Sequence, residues 1–327
     1  MTQKSILGIG NALVDILTLI PDDHILNELH LPKGAMQHVD AETSMKVSEY
    51  LKRYGSAMAA GGSTANTMSG AAKLGVRTGY IGKVGRDEMG RFFESEMEKT
   101  QVKPMMLTTD TPTGCANAIV SQDGERTFAT YLGAALELSP DDLRPELLDG
   151  WDIFYVEGYL IANRPLLDKA LALAKEKGMT VAMDMASFNL VEANRDYLVG
   201  VVRDYIDILF ANQEEAKALT GMDDPEDALH YIASMCQVAI VKVGAKGSLA
   251  QQGDKVVKMG PIPAKVVDTT GAGDLWASGF LAGFTQGEPL EKCVRMGAVV
   301  ASNIIEVLGA KMDEARWEKI HHSLKEW

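Results

Sequence analysis

Between residues 152 and 243 the chain alternates short apolar runs with helical patterns. Strands are predicted at 152–156, 180–184, 206–210 and 237–243, and helices at 164–177, 192–203, 213–220 and 225–235. Strands separated by helices of this length cannot pair as hairpins; each helix is a crossover that returns the chain parallel to the strand before it. Both faces of such a sheet need helical cover, so the expected fold class is α/β, a mostly parallel sheet flanked by helices on both faces. Two apolar helices at about 272–286 and 289–307, then a short polar helix near 313–325, close the chain. No linker or repeat interrupts it, and a single domain over 1–327 is expected.

The N-terminal half is less regular. The stretch 5–20 reads as extended, but Asn11 and Asp15 break its apolar run. Helical patterns follow at 22–30 and 41–53, then a Gly-Gly pair, a small-residue helix at 64–74 and a strand at 78–84. From about 100 to 132 the pattern turns β-rich, with a turn at Asp123-Gly124. Hairpin turns join antiparallel neighbours, so the β-rich segments at about 11–20, 33–40 and 105–132 do not fit a parallel sheet. They are expected to form a small lid over the carboxyl ends of the strands, where open α/β sheets bind ligands.

Composition excludes several functions. Of 327 residues 46% are hydrophobic and 24% charged, as in ordinary globular chains, and the net charge of −13 has the wrong sign for holding nucleic acid by its phosphates. A few local donors can still hold a small anion. Cys115, Cys236 and Cys293 are scattered, so neither a disulfide framework nor a zinc site is expected. Met1–Lys4 shows no signal-peptide pattern and no run approaches the length of a membrane span, which points to the cytoplasm. Gly82-Lys83 is followed by Val84 and lacks the upstream glycine of a P-loop; no G-x-G-x-x-G follows the first strand, and H-E-x-x-H and G-x-S-x-G are absent. His321-His322 reads as exposed tail.

The strongest local signal is Asp268-Thr-Thr-Gly-Ala-Gly-Asp274, directly before an apolar helix. Gly271, Ala272 and Gly273 leave the amides of the helix start open to an anion. A carboxylate there is either an ordinary first-turn acid, favoured by the helix dipole, or a base that takes the proton of a hydroxyl attacking phosphorus. Ala277, Ser278 and Gly279 let the helix press closely on a neighbour.

This stretch resembles the signature of the ribokinase-like (phosphofructokinase-B type) carbohydrate kinases, most of all their adenosine-kinase-like branch, and the resemblance runs over roughly residues 5–310. It extends to Ala60-Gly-Gly-Ser-Thr-Ala-Asn66, and implies that Gly61, Gly62, Asn66, Asn11 and Asp15 contact a sugar. On chemistry alone, Gly61-Gly62 is equally a turn before a helix and Asp15 a local backbone partner. Asn212-Gln-Glu-Glu215 matches the family's N-x-x-E pattern, implying a role in the water shell of Mg²⁺, while the same spacing makes a capping box. Lys242-Val-Gly-Ala-Lys-Gly247 resembles the nucleotide-side strand and turn, with Lys242, Gly244 and Gly247 as ATP contacts; a hairpin with solvated lysines is the plainer alternative. By the same resemblance Asn303 approaches the adenine of ATP.

Segments 112–118 and 124–135 resemble the adenosine-kinase branch, implying that Arg126 reaches the transferring phosphoryl group when the lid shuts; a solvated Arg beside Glu125 is the alternative. Some members hold a monovalent cation beside the equivalents of Asp268 and Thr270, which admits potassium activation. Met36, His38, Leu132 and Phe188 are candidate walls around a base or sugar, or ordinary packing. The expected function is an ATP- and Mg²⁺-dependent phosphotransferase acting on a primary hydroxyl of a nucleoside, adenosine first, with Asp274 as general base. A free sugar such as ribose, fructose or a sugar acid is the alternative acceptor. A non-catalytic binding protein is the reading from another class. Monomer and homodimer both remain open.

Overall fold

The computed structural model describes residues 4–326. Met1–Gln3, part of the segment read for a targeting signal, lie outside the described residues. The strands are β1 (Ile6–Ile9), β2 (Leu13–Leu19), β3 (Met36–His38), β4 (Ser56–Gly61), β5 (Thr78–Gly85), β6 (Val102–Thr109), β7 (Gly114–Val120), β8 (Arg126–Tyr131), β9 (Ile153–Glu157), β10 (Thr180–Asp184), β11 (Ile208–Asn212), β12 (Val238–Lys242), β13 (Ser248–Gln252) and β14 (Lys255–Met259). Nine form one sheet in the order β14-β13-β12-β11-β10-β9-β1-β5-β6. From β12 to β6 every neighbour pair is parallel; β13 and β14 add an antiparallel edge.

The central strands are apolar on both sides because helices cover both faces. On one face Tyr155 and Phe210 meet Trp276 and Phe280 of the helix Ala272–Thr285, with Phe210 and Phe280 edge to face at 5.5 Å. On the other, Phe154, Val181 and Leu209 pack with Leu167 and Leu171 of the helix Arg164–Glu176 and with Leu198, Leu219 and Leu229. Consecutive residues such as Phe154 and Tyr155 thus serve opposite cores, as the two-residue period of a strand requires.

A second, five-stranded sheet has the order β3-β8-β7-β2-β4. It is mixed: β2–β4 and β7–β8 are antiparallel, while β2–β7 and β3–β8 are parallel. Two boundaries differ from the sequence expectation. Residues 105–109 belong to β6, on the edge of the large sheet beside β5, because the helix Glu88–Lys99 makes a crossover between them. The smaller sheet also gains β4 as an edge strand, from a Ser-Ala-Met-Ala-Ala-Gly run with no β-branched residue to announce it. The chain passes between the sheets four times, at residues 10–12, 62–77, 110–113 and 132–152. Among the described residues no helix is long and apolar enough to cross a membrane.

Candidate active site

Polar side chains cluster at the carboxyl ends of the parallel strands. Asn11 follows β1, and Glu157, Asp184, Asn212 and Lys242 end β9, β10, β11 and β12. The start of the helix Ala272–Thr285 faces them, set by close packing of small residues. A methyl on Gly70 would collide with Ser278, and one on Gly279 with the backbone of Met296. That approach brings the helix Ser63–Lys73 against Asp274. Ser63 Oγ donates to Asp274 Oδ1 at 2.8 Å and Asn66 Nδ2 to Oδ2 at 3.0 Å. Burial pushes the Asp274 carboxyl above the usual aspartate range; Asp184 pushes the same way, while Asn66, Ser63 and Lys242 oppose it.

Gly271 precedes this helix with φ 73°, a left-handed conformation that favours glycine. Of the amides at Gly271, Ala272 and Gly273 expected to be open, that of Ala272 is closed, donating to Thr269 O at 3.2 Å. The first i to i−4 bond runs from Leu275 N–H to Gly271 O at 2.8 Å, leaving the Gly273 and Asp274 amides without a backbone partner. A Cβ on Gly273 would stand 3.1 Å from Lys242 Nζ, so an ammonium faces the bare turn. Two amides and one ammonium around a space without side chains suit a phosphate oxygen.

The turn opens into a cavity of about 860 Å³, polar around Asp184, Glu215, Lys242 and Asp274 and apolar along Pro261, Ile262 and Pro263. Its size fits a nucleotide. Lys242 Nζ pairs with Asp184 Oδ2 at 2.8 Å, with only 15% of its side chain exposed. Burial pulls its pKa down, but Asp184, Glu215 and Asp274 outweigh this and hold it above the ordinary value. Asn212 and Glu215 form the capping box: Asn212 N–H and Nδ2 donate to the two Glu215 carboxylate oxygens at 2.7 Å each, and Glu215 N–H donates to Asn212 Oδ1 at 2.9 Å. Burial, reinforced by Asp184, raises Glu215 to about 7. Among the described residues no three His, Cys, Asp or Glu side chains converge as a metal cage. Three carboxylates against one ammonium nevertheless leave a surplus of negative oxygen, which fits Mg²⁺ carried mainly by phosphates and water. Gly244 and Gly247 line the cavity, but Asn303 does not. Ala298, Ala301, Ser302 and Ile305 occupy the cavity face of their helix; Asn303 is turned off it and donates to Val299 O at 2.8 Å.

Asp15 of β2 lies within electrostatic reach of Asp274. Its carboxyl sits where a methyl on Gly61 would be, and a methyl on Gly62, at φ 92°, would strike Asn11 O. Burial raises Asp15 to about 6, opposed mainly by Lys311 and reinforced by Asp274. Glu157 was not expected in the site, yet it organises this corner. Its Oε1 accepts from Asn11 Nδ2 at 2.8 Å and Asn11 N–H at 3.3 Å, and Oε2 from Thr64 N–H at 3.2 Å. Burial raises it to about 7 against those three donors. Asn66 Oδ1 is buried with no partner, an acceptor left over for a substrate hydroxyl.

Arg126 is neither solvated nor aimed at the open turn: its guanidinium pairs with Asp268 and donates to Thr270 Oγ1. Asp268 Oδ1 also accepts from Thr270 N–H at 3.1 Å and Oγ1 at 2.9 Å, and Oδ2 from Gly309 N–H at 2.6 Å. The monovalent-cation place at Asp268 and Thr270 is therefore taken by a side chain, and these residues do not fit potassium as arranged. Met36, His38 and Phe188 are exposed. Sequence reasoning missed Ser63, Glu157, Asp184 and Lys311. For Glu157 and Asp184 the signal was present, an acid at the carboxyl end of an apolar parallel strand.

The sequence profile of the pfkB family of carbohydrate kinases matches residues 41–316. A probable sugar kinase from Rhizobium etli is 34% identical with a TM-score of 0.87 over 99% of both chains. A structure described as adenosine kinase from Sinorhizobium meliloti is 34% identical with a TM-score of 0.86, over 98% of this chain and 100% of that one. An uncharacterized sugar kinase of Archaeoglobus fulgidus is 30% identical over 246 residues, 74% of this chain and 96% of its own. The chain belongs to the pfkB family of carbohydrate kinases. It is accordingly a phosphotransferase acting on a sugar or nucleoside, and kinases of this family use ATP, typically with Mg²⁺.

Proposed function

We propose that this kinase transfers the γ-phosphoryl group of ATP to the primary hydroxyl of a nucleoside, adenosine foremost. One observation carries the chemistry: a buried carboxylate, Asp274, projects from a phosphate-sized turn, is held by Ser63 and Asn66, and lies within electrostatic reach of Asp15 in the acceptor corner. Asp15 accepts hydrogen bonds from two hydroxyls of the acceptor, as a carboxylate can from a vicinal diol. Asn66 supplies its free Oδ1, and Glu157 locks Asn11 and the Ser63–Thr64 turn, so the acceptor corner is rigid before substrate arrives.

Asp274, oriented by Ser63 and Asn66, takes the hydroxyl proton as the oxygen attacks phosphorus in line. The Gly273 and Asp274 amides and Lys242 stabilise charge on the phosphoryl oxygens. Asp184 and Glu215 are the residues that would hold Mg²⁺, through its water shell, and the ion would supply further neutralisation of the phosphates. Asp184 meanwhile keeps the Lys242 ammonium in place. The free thiols of Cys115, Cys236 and Cys293 suit a reducing setting such as the cytoplasm.

The nucleoside acceptor is supported by the match to the Sinorhizobium meliloti protein over nearly the full chain. A free sugar is the second reading, favoured by the names of the Rhizobium etli and Archaeoglobus fulgidus relatives. Measuring ADP release over adenosine, other nucleosides, ribose, fructose and sugar acids separates them. Adenosine is expected to show the highest kcat/KM, and a preference for any free sugar rejects the nucleoside.

A further inference from the structure

The turn that faces phosphate is held from behind by one carboxylate. Asp268, whose side chain is 6% exposed, gathers donors from its own loop (Thr270), from the loop after the helix Leu290–Ile304 (Gly309) and from strand β8 of the smaller sheet (Arg126, 11% exposed). A carboxylate this buried needs a cation close by, and the one present is covalently part of the chain. Arg126 also lies within electrostatic reach of Asp15. Any free monovalent ion directed at Asp268 and Thr270 must displace a guanidinium that already touches both.

We propose that Arg126 is a tethered cation replacing a bound monovalent ion at Asp268 and Thr270. It makes the turn at residues 271–274 independent of potassium and ties the order of that turn to the docking of the smaller sheet. The inference rests on the reading of that turn as the phosphate site, but the cation replacement itself is testable without turnover. Arg126 here is a positioning residue that acts through Asp268.

The test uses the full chain and the variants Arg126→Met, Arg126→Lys and Arg126→Met/Asp268→Asn. All are measured in potassium, sodium or tetramethylammonium chloride at equal ionic strength. Without substrates, the wild-type melting temperature is expected to be the same in all three salts. Arg126→Met is expected to melt lower in tetramethylammonium and to recover in potassium or with methylguanidinium, as a ligand that binds only the folded state requires. Arg126→Lys should fall between the two. The double variant, with no buried charge left to neutralise, should melt above Arg126→Met and ignore the salt.

In turnover, wild-type kcat/KM should vary less than about twofold between salts. Arg126→Met should lose about 100-fold in tetramethylammonium and regain at least about tenfold with potassium. Strong activation of the wild type by potassium overturns the proposal. So does a loss in Arg126→Met that no cation rescues, which would put Arg126 on the transferring group instead. If Arg126→Met does not fold, the double variant decides: failure to restore folding also overturns it. Absent kinase activity with the melting pattern intact would refute the phosphate reading and leave the tethered cation standing.

Discussion

Replacing Asp274 by Asn separates geometry from chemistry at the proposed base. The amide has nearly the shape of the carboxylate, and the two donors around it can be kept. Asn66 Nδ2 donates now at 3.0 Å and can donate to the new carbonyl, while Ser63 Oγ, donating now at 2.8 Å, can rotate and accept from the new NH₂. At most one hydrogen bond changes its sense, a matter of about 1 kcal/mol. Against that, the substitution removes a buried negative charge that Asp184 already repels. The melting temperature is therefore expected to stay level or rise. Loss of a general base costs about 10²–10⁴-fold in rate, or about 3–5 kcal/mol of barrier. In a coupled assay of ADP release at saturating substrates, kcat should fall by that factor while the acceptor's binding constant, from calorimetry, changes little. A folded variant whose kcat stays within about tenfold of wild type would refute the assignment of the base.

Gly61→Ala drives a methyl into the Asp15 carboxyl and should weaken acceptor binding by about 100-fold, the scale of an ångström's misplacement, while the KM for ATP holds. Equal losses for both substrates would argue against Asp15 as an acceptor contact. Glu157 keeps its proton up to about pH 7 in the folded chain against an ordinary value of 4.5. The stability it lends is complete below pH 4.5 and is lost as pH rises through 7, about 3 kcal/mol in all. Urea midpoints should accordingly fall between pH 5 and 8, and fall less in Glu157→Gln, whose acceptor KM should also rise; an unchanged pH slope would count against a buried, protonated Glu157. Lys242→Met leaves Asp184 and Glu215 without their cation and should cost about 3–5 kcal/mol of stability, read by urea unfolding, together with a raised KM for ATP. Loss of neither would show that the ammonium is solvated in solution.

How much of this was legible in the chain depends on where the information resides. The strands from β9 to β12 announce themselves because burial on both faces forces uninterrupted apolar runs. Edge membership is a tertiary fact, so β6 read as part of the smaller sheet, and the alanines of β4 read as no strand at all. The turn at 271–274 was visible because glycines and an acid together at a helix start are chemically odd. Asn303 was misplaced by helical phase, one residue beyond Ser302, which does line the cavity. Lys311 carries no sequence signal, since only the folding back of the loop after the helix Leu290–Ile304 brings it near Asp15. Arg126 could be found as a candidate, but its partner was settled by packing between the two sheets, which no local pattern encodes.

The Glu157 carboxyl group anchors the chain where it leaves β1 for β2. At about 3.3 Å per residue, Asp15 rides about 13 Å from Asn11 and the tip at Leu19 about 26 Å. Any tilt of β2 about that point would displace Leu19 about twice as far as Asp15, so a perturbation at the outer end of the strand reaches the inner carboxyl at half its size.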